Sequence, residues 1–221
     1  MNSFAFAFLL GQLLFMIAFI LFSFINYKSR FKSDYDFRNH FPYELNYESK
    51  FKDNLIGNIC LIISSTCGLA FYATFNTTYN NGYLIFAMIG GMINIVLSSI
   101  LFFAPLKALR VHLGVAVFNI VLSFLVPIAF AFAASIDYSQ TKNVSSLIMV
   151  ILNSIICLIV FILVMNPKLS RWADLDKKEN KDGTVTYARP KYFVLAFTEW
   201  LLYFLTIIVE IMAILTRFYI A

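Results

Sequence analysis

The sequence predicts an all-α integral membrane protein: a six-span transmembrane helix bundle, both termini outside, with amphipathic elbow helices in its first cytoplasmic loop. Three observations carry this reading. The 221 residues are 61% hydrophobic and only 13% charged, whereas soluble domains run near 45–50% and about 25%. Six stretches reach the length of about 20 apolar residues that a span requires. Fifteen of the seventeen Lys and Arg fall in connections on one side of those spans.

The spans cover about 3–26, 54–75, 83–105, 112–134, 146–165 and 192–216, within a single transmembrane domain over 1–221. The first lacks a basic leading segment and is too long for a signal-peptide core, so it reads as a retained span. Lys and Arg concentrate in loops 27–53 and 166–191 and in the short link after span three. That bias places these connections in the cytoplasm and both termini outside. Abundant Phe, Ile, Tyr and Asn point to a low-GC cell, and the spans to its plasma membrane.

In the first cytoplasmic loop, Tyr27, Phe31 and Tyr35 recur every four residues, and Tyr43, Tyr47 and Phe51 resume the pattern after Pro42. That spacing puts each trio on one helix face. Pro42 disfavours helix at Phe41 and suits the first turn of a new one. Two short helices with aromatic faces in the headgroup layer are expected. In the second loop, Asp182-Gly183 followed by Thr184-Val185-Thr186-Tyr187 predicts a turn and a short strand. Pro127, with Ser123 four residues before it, predicts a kink in span four.

The outer loops, NTTYNNGY and SIDYSQTKNVS, are too short for a folded receptor domain. The sequons at Asn76 and Asn143 hug the membrane and are discounted as glycan sites. Cys60 and Cys67 lie two turns apart, about 10 Å, too far for a disulfide. His40 and His112 are lone histidines without metal-ligand spacing, and no cofactor is expected. No Ser–His or Cys–His arrangement and no phosphate-binding glycine pattern occurs, which weighs against an enzyme and against an intrinsic energy source. Nor does a basic stripe with interleaved aromatics suggest nucleic acid.

The chemistry concentrates on span six, where Glu199 and Glu210 stand eleven residues apart. Eleven residues turn a helix through about 1100°, so the two share a face about 16 Å apart. Tyr203 and Thr206 fall on the same face, and Arg217 continues it. An acidic residue deep in a span costs about 3 kcal/mol, so this face must turn toward protein or water. A carboxylate there needs a cation, several donors or a proton. No Lys or Arg lies inside any other span.

Other spans contribute amides. Asn58, Asn119 and Glu199 group in the cytoplasmic half, Gln12, Asn153 and Glu210 in the outer half, and Asn94 near the middle. Such amides commonly bond helices together. The expected ligand-binding set is Glu199, Tyr203, Thr206, Glu210, Asn119, Asn153, Asn94 and Gln12. The expected function is binding or helping to translocate a small solute or cation through that site. The alternative is a non-catalytic subunit or assembly factor of a larger membrane complex. Besides the lipid bilayer, a partner subunit would meet the stripe Ser3, Ala7 and Gly11, or the loop around Phe41 and Pro42.

Overall fold

The computed structural model describes residues 3–46, 51–75, 81–103, 109–169, 176–179, 185–188 and 192–214. Six helices long and apolar enough to cross a membrane dominate it. They are α1 (Ser3–Phe31), α2 (Leu55–Ala73), α3 (Gly82–Leu101), α4 (Leu109–Thr141), α5 (Val144–Val164) and α6 (Val194–Ala213). Side chains such as Ile25, Phe118 and Ile162 stand exposed around the outside. An apolar exterior over a partly polar interior is compatible with a multi-pass membrane protein.

Local chemistry sets several boundaries. The Asn81 side chain accepts from the amides of Tyr83 and Leu84 and so caps α3. Asn143 accepts from Ser145 N and caps α5, so this sequon asparagine has a structural role. Lys32 and Lys142 take left-handed backbone, with φ of 54° and 55°. Their amides bond Lys28 O at 3.0 Å and Tyr138 O at 2.9 Å, which closes α1 and α4. α4 runs on through Pro127.

Helix α6 is the centre of the bundle. Of its most apolar stretch 67% is buried within the chain, against 22–44% for the other five helices. It packs on α3, α4 and α5, its Tyr203 hydroxyl meets Met16 of α1, and Trp200 and Ile207 share one apolar cluster with Met16 and Phe19. A helix walled by its neighbours over most of its surface, with only Phe204, Ile208 and Ile211 exposed, can hold polar groups that lipid would reject.

The ends of α1 and α3 and the starts of α2, α4 and α6 gather at one end, here termed the basic end. Residues 32–46 fold back over it. Arg30 donates to Leu45 O at 2.8 Å, Phe193 N to Arg38 O at 2.7 Å, and Asn46 Nδ2 to Phe102 O at 3.3 Å. Asn54 Nδ2 ties Ser23 Oγ to Asn46 Oδ1.

This segment differs from the expected elbow. Tyr27 and Phe31 belong to α1, but Tyr35 lies beyond its end. Pro42–Asn46 and Phe51–Asn54 are single 3-10 turns, and Tyr47 is outside the described residues. Phe41, Pro42, Tyr43 and Leu45 are buried in the chain. The physical reason is that the basic end presents apolar surface at Trp200, Phe193 and the His112 ring. Burying an aromatic ring there stabilises by about 1.5–3 kcal/mol, more than a half-wet headgroup position gives.

In the second loop, β1 (Asp176–Glu179) pairs antiparallel with β2 (Val185–Ala188), with Glu179 opposite Val185. The strand expected around Val185 is therefore present. Its proposed Asp182-Gly183 turn lies outside the described residues.

Candidate functional site

Polar side chains meet α6 at three levels. At the basic end, His112 Nε2 of α4 lies 3.0 Å from Glu199 Oε1. Both side chains are buried, at 0% and 2% exposure. The rings of Phe41 and Tyr43 stand edge-on to the His112 ring, each with centroids 5.7 Å away. The folded-back segment thus seals this pair from above. Glu44, itself buried, accepts from Phe41 N at 2.6 Å and holds the turn in place.

Tyr35 locks the seal. Its hydroxyl lies 2.7 Å from Phe41 O and 3.0 Å from His40 O, and accepts from Trp200 Nε1 at 2.9 Å. Burial pushes the Tyr35 phenol well above its usual range, opposed by the Trp200 N–H and reinforced by the Glu44 and Glu199 carboxylates. The phenol therefore stays a donor across physiological pH, and its stabilising contribution is lost only on raising the pH beyond about 10.

The middle level is a closed network among α3, α4 and α6. Asn119 Nδ2 donates to Asn94 Oδ1 at 2.9 Å and to Ser98 Oγ at 2.7 Å. Asn94 Nδ2 donates to Thr206 Oγ1 at 3.0 Å and to Ser123 Oγ at 3.3 Å. Thr206 in turn donates to Leu202 O. Every amide atom of Asn94 is used, as expected of groups that hold helices together. A cavity of about 10 Å³ lies beside it, lined by Asn94, Ser123, Pro127, Thr206 and Val209 among others. That is room for about one water.

The third level is different. Glu210 is fully buried, and neither carboxyl oxygen has a hydrogen-bond partner. Gln12 of α1 is the polar side chain beside it, without closing a bond to either oxygen. Gln12 Oε1 is itself buried and unpartnered. Gly68 of α2 makes room for this amide: a Cβ at Gly68 would sit 2.9 Å from Gln12 Nε2. Tyr203 does not join them by hydrogen bond, since its hydroxyl meets Met16 Sδ at 2.9 Å.

The expected face of span six is thus buried as a whole but divided among neighbours. Glu199 goes to α4, Thr206 to α3, and Tyr203 and Glu210 to α1. Asn94 and Asn119 join Thr206, Gln12 joins Glu210, and Asn153 bonds Met149 O of its own helix at 2.9 Å. Asn58 donates to Phe51 O at 3.0 Å and so stays with the basic-end turn. Arg217 lies outside the described residues.

Sequence reasoning missed two groups. His112, set aside as a lone histidine, is the partner of Glu199 across 87 positions, and no local pattern announces that pairing. Asp137, assigned to an outer loop, is buried on α4 and accepts a short hydrogen bond from Ser146 of α5. The signal for it was available: no Gly or Pro occurs between Ile128 and Lys142, so nothing ends the helix earlier. Among the described residues no cluster of three or more His, Cys, Asp or Glu could hold a metal ion, and the three cysteines are free. The chain matches no protein-family model, no curated protein and no solved structure.

Proposed function

We propose that this chain binds a small solute or cation at the inner face of α6 and helps it across the membrane without an energy source of its own. The observation that carries the reading is Glu210, a fully buried carboxyl on the central helix without a hydrogen-bond partner. An intramembrane carboxyl is costly, and such groups mark ion and substrate pathways. The closed basic end and the complete burial of Glu210 support an occluded resting form in which Glu210 is reached only when the bundle opens.

We also infer that the basic end faces the cytoplasm, supported by the fifteen-to-two division of Lys and Arg. Membrane-impermeant thiol reagent added outside intact cells is then expected to label Ser139→Cys and not Ser33→Cys. The reverse labelling would invert the topology.

Transport is tested in vesicles reconstituted with the full chain. The wild type is expected to speed the decay of an imposed proton or sodium gradient, or solute-driven swelling, above the rate of empty vesicles. Glu210→Gln is expected to return the rate to that baseline while folding normally. Equal rates in wild type and variant remove Glu210 from the path.

A second reading, a subunit of a larger membrane complex, is favoured by one feature. Ser3 and Ala7 of the small-residue stripe face outward, whereas Gly11 packs on Cys67. The loop around Phe41 and Pro42 does not support it, because both residues are buried in their own chain. A chain that purifies alone and monodisperse from gently solubilised native membranes would sink this reading.

A further inference from the structure

We infer that the ligand of the Glu210 site is one small monovalent cation, a proton or a sodium-sized alkali ion, held between the Glu210 carboxylate and the Gln12 amide oxygen. This deepens the proposed function and rests on that reading of α6.

The first argument is the sign of what is missing. At the Glu210 level the buried atoms without a partner are Gln12 Oε1 and both Glu210 oxygens, and all three are acceptors. A buried acceptor left unmade costs about 1–3 kcal/mol, and more when it carries charge. A site with surplus acceptors takes a donor or a cation and repels an anion.

The second argument is charge. Asp137 is engaged by Ser146 and Glu199 by His112, whereas among the buried carboxyls of the described helices Glu210 has no donor that closes a hydrogen bond, only the neighbouring Gln12 amide. Around it, α1 presents the neutral Gln12 and α6 itself Tyr203. His112 and Glu199 stand about three turns away along the bundle. One positive charge neutralises this site. A divalent ion would leave a net buried charge, which costs several kcal/mol.

The chemistry of the donor set is the third. Carboxylate and amide oxygens are hard ligands that suit alkali ions as they suit protons.

The test is thermal unfolding of the purified full chain in detergent, at fixed ionic strength, with choline replaced by Na⁺, Li⁺ or K⁺ across a pH series. A bound ion raises the midpoint in a saturable way. The expected result is a rise with Na⁺ or Li⁺ over choline that shrinks as protons compete at lower pH. Glu210→Gln is expected to abolish the rise. Should protons be the sole occupant, alkali ions have no effect, and the wild type releases one more proton than Glu210→Gln in a potentiometric titration.

Absence of both signatures in folded wild type overturns the inference, as does an alkali response or proton release that Glu210→Gln retains. Where Glu210→Gln does not fold, Gln12→Leu keeps the carboxyl and removes the amide oxygen; it is expected to weaken ion binding about tenfold, equivalent to ~1.4 kcal/mol. An unchanged affinity in that variant also overturns the inference. Cation binding without flux in vesicles leaves the inference standing and removes the transport reading. Glu210-dependent uptake of a neutral solute, with no cation response, does the reverse.

Discussion

Replacing His112 with alanine is expected to lower the stability of the bundle by about 1–5 kcal/mol, between the loss of a neutral buried hydrogen bond and the breaking of a buried ion pair from one side. His112 and Glu199 are both inside the protein, and Glu199 Oε2 has no partner. Removal of the imidazole leaves the carboxyl without its hydrogen-bond partner. It also removes the surface on which the rings of Phe41 and Tyr43 pack, so the seal over the basic end should loosen with it.

The magnitude reports the state of the pair. A neutral hydrogen bond would cost about 1–3 kcal/mol on loss of one partner, an ion pair about 3–5 kcal/mol. Replacing both partners by apolar residues of similar volume, His112→Leu with Glu199→Met, is expected to be neutral or mildly stabilising, because no desolvated charge remains. Denaturant unfolding of the single and the double variant in detergent measures this. A single substitution as stable as the wild type would remove the pair from the fold's energetics. A double variant as unstable as the single would show that packing, not charge, carries the loss.

The course of the six helices was legible because each signal is local. Apolar length marks a span, and an eleven-residue separation fixes the shared face of Glu199 and Glu210 without knowledge of any neighbour. Pairing is not local. Nothing near His112 or near Glu199 indicates that α4 and α6 meet at those positions. The 32–46 segment failed for a related reason. Its aromatic spacing is that of an amphipathic helix, but the rings find a better surface on the bundle's own end than in the headgroup layer. Asp137 was misplaced because the end of α4 was set by hydropathy, whereas a helix ends where its backbone is stopped.

The three levels on α6 separate glue from site by a criterion the sequence lacks. Asn94, Asn119, Ser98, Ser123 and Thr206 are amides and hydroxyls that satisfy one another, and each such bond contributes about 0.6 kcal/mol to helix association. Glu199 has one partner and Glu210 none. Composition ranks all of these residues as polar and intramembrane. Only the count of unmet acceptors sets Glu210 apart, and that count requires the neighbours.

Alanine at Gly91 is expected to cost about 1–3 kcal/mol, the range for overpacking a well-filled core. Here α2 lays the Tyr72 ring directly against the backbone of α3. A Cβ at Gly91 would stand 2.2 Å from Tyr72 Cζ and 2.4 Å from Cε1, inside any real contact. A ring tip usually swings aside, but Tyr72 is fully buried and walled by Phe71 and by Phe75 stacked at 5.7 Å. The strain must therefore spread to the α2–α3 spacing. It should also reach the cavity that Tyr72 shares with Asn94, Ser123 and Thr206. Gly114 is the control: a Cβ there meets nothing within 4 Å, and Gly114→Ala is expected to be neutral or to stabilise by up to about 1 kcal/mol through helix propensity. Gly91→Ala combined with Tyr72→Leu should lose less than the sum of the two, because the shorter side chain vacates the contested space. Additive losses in the same unfolding measurement would show that the two residues do not meet, and would unseat the close approach of α2 to α3.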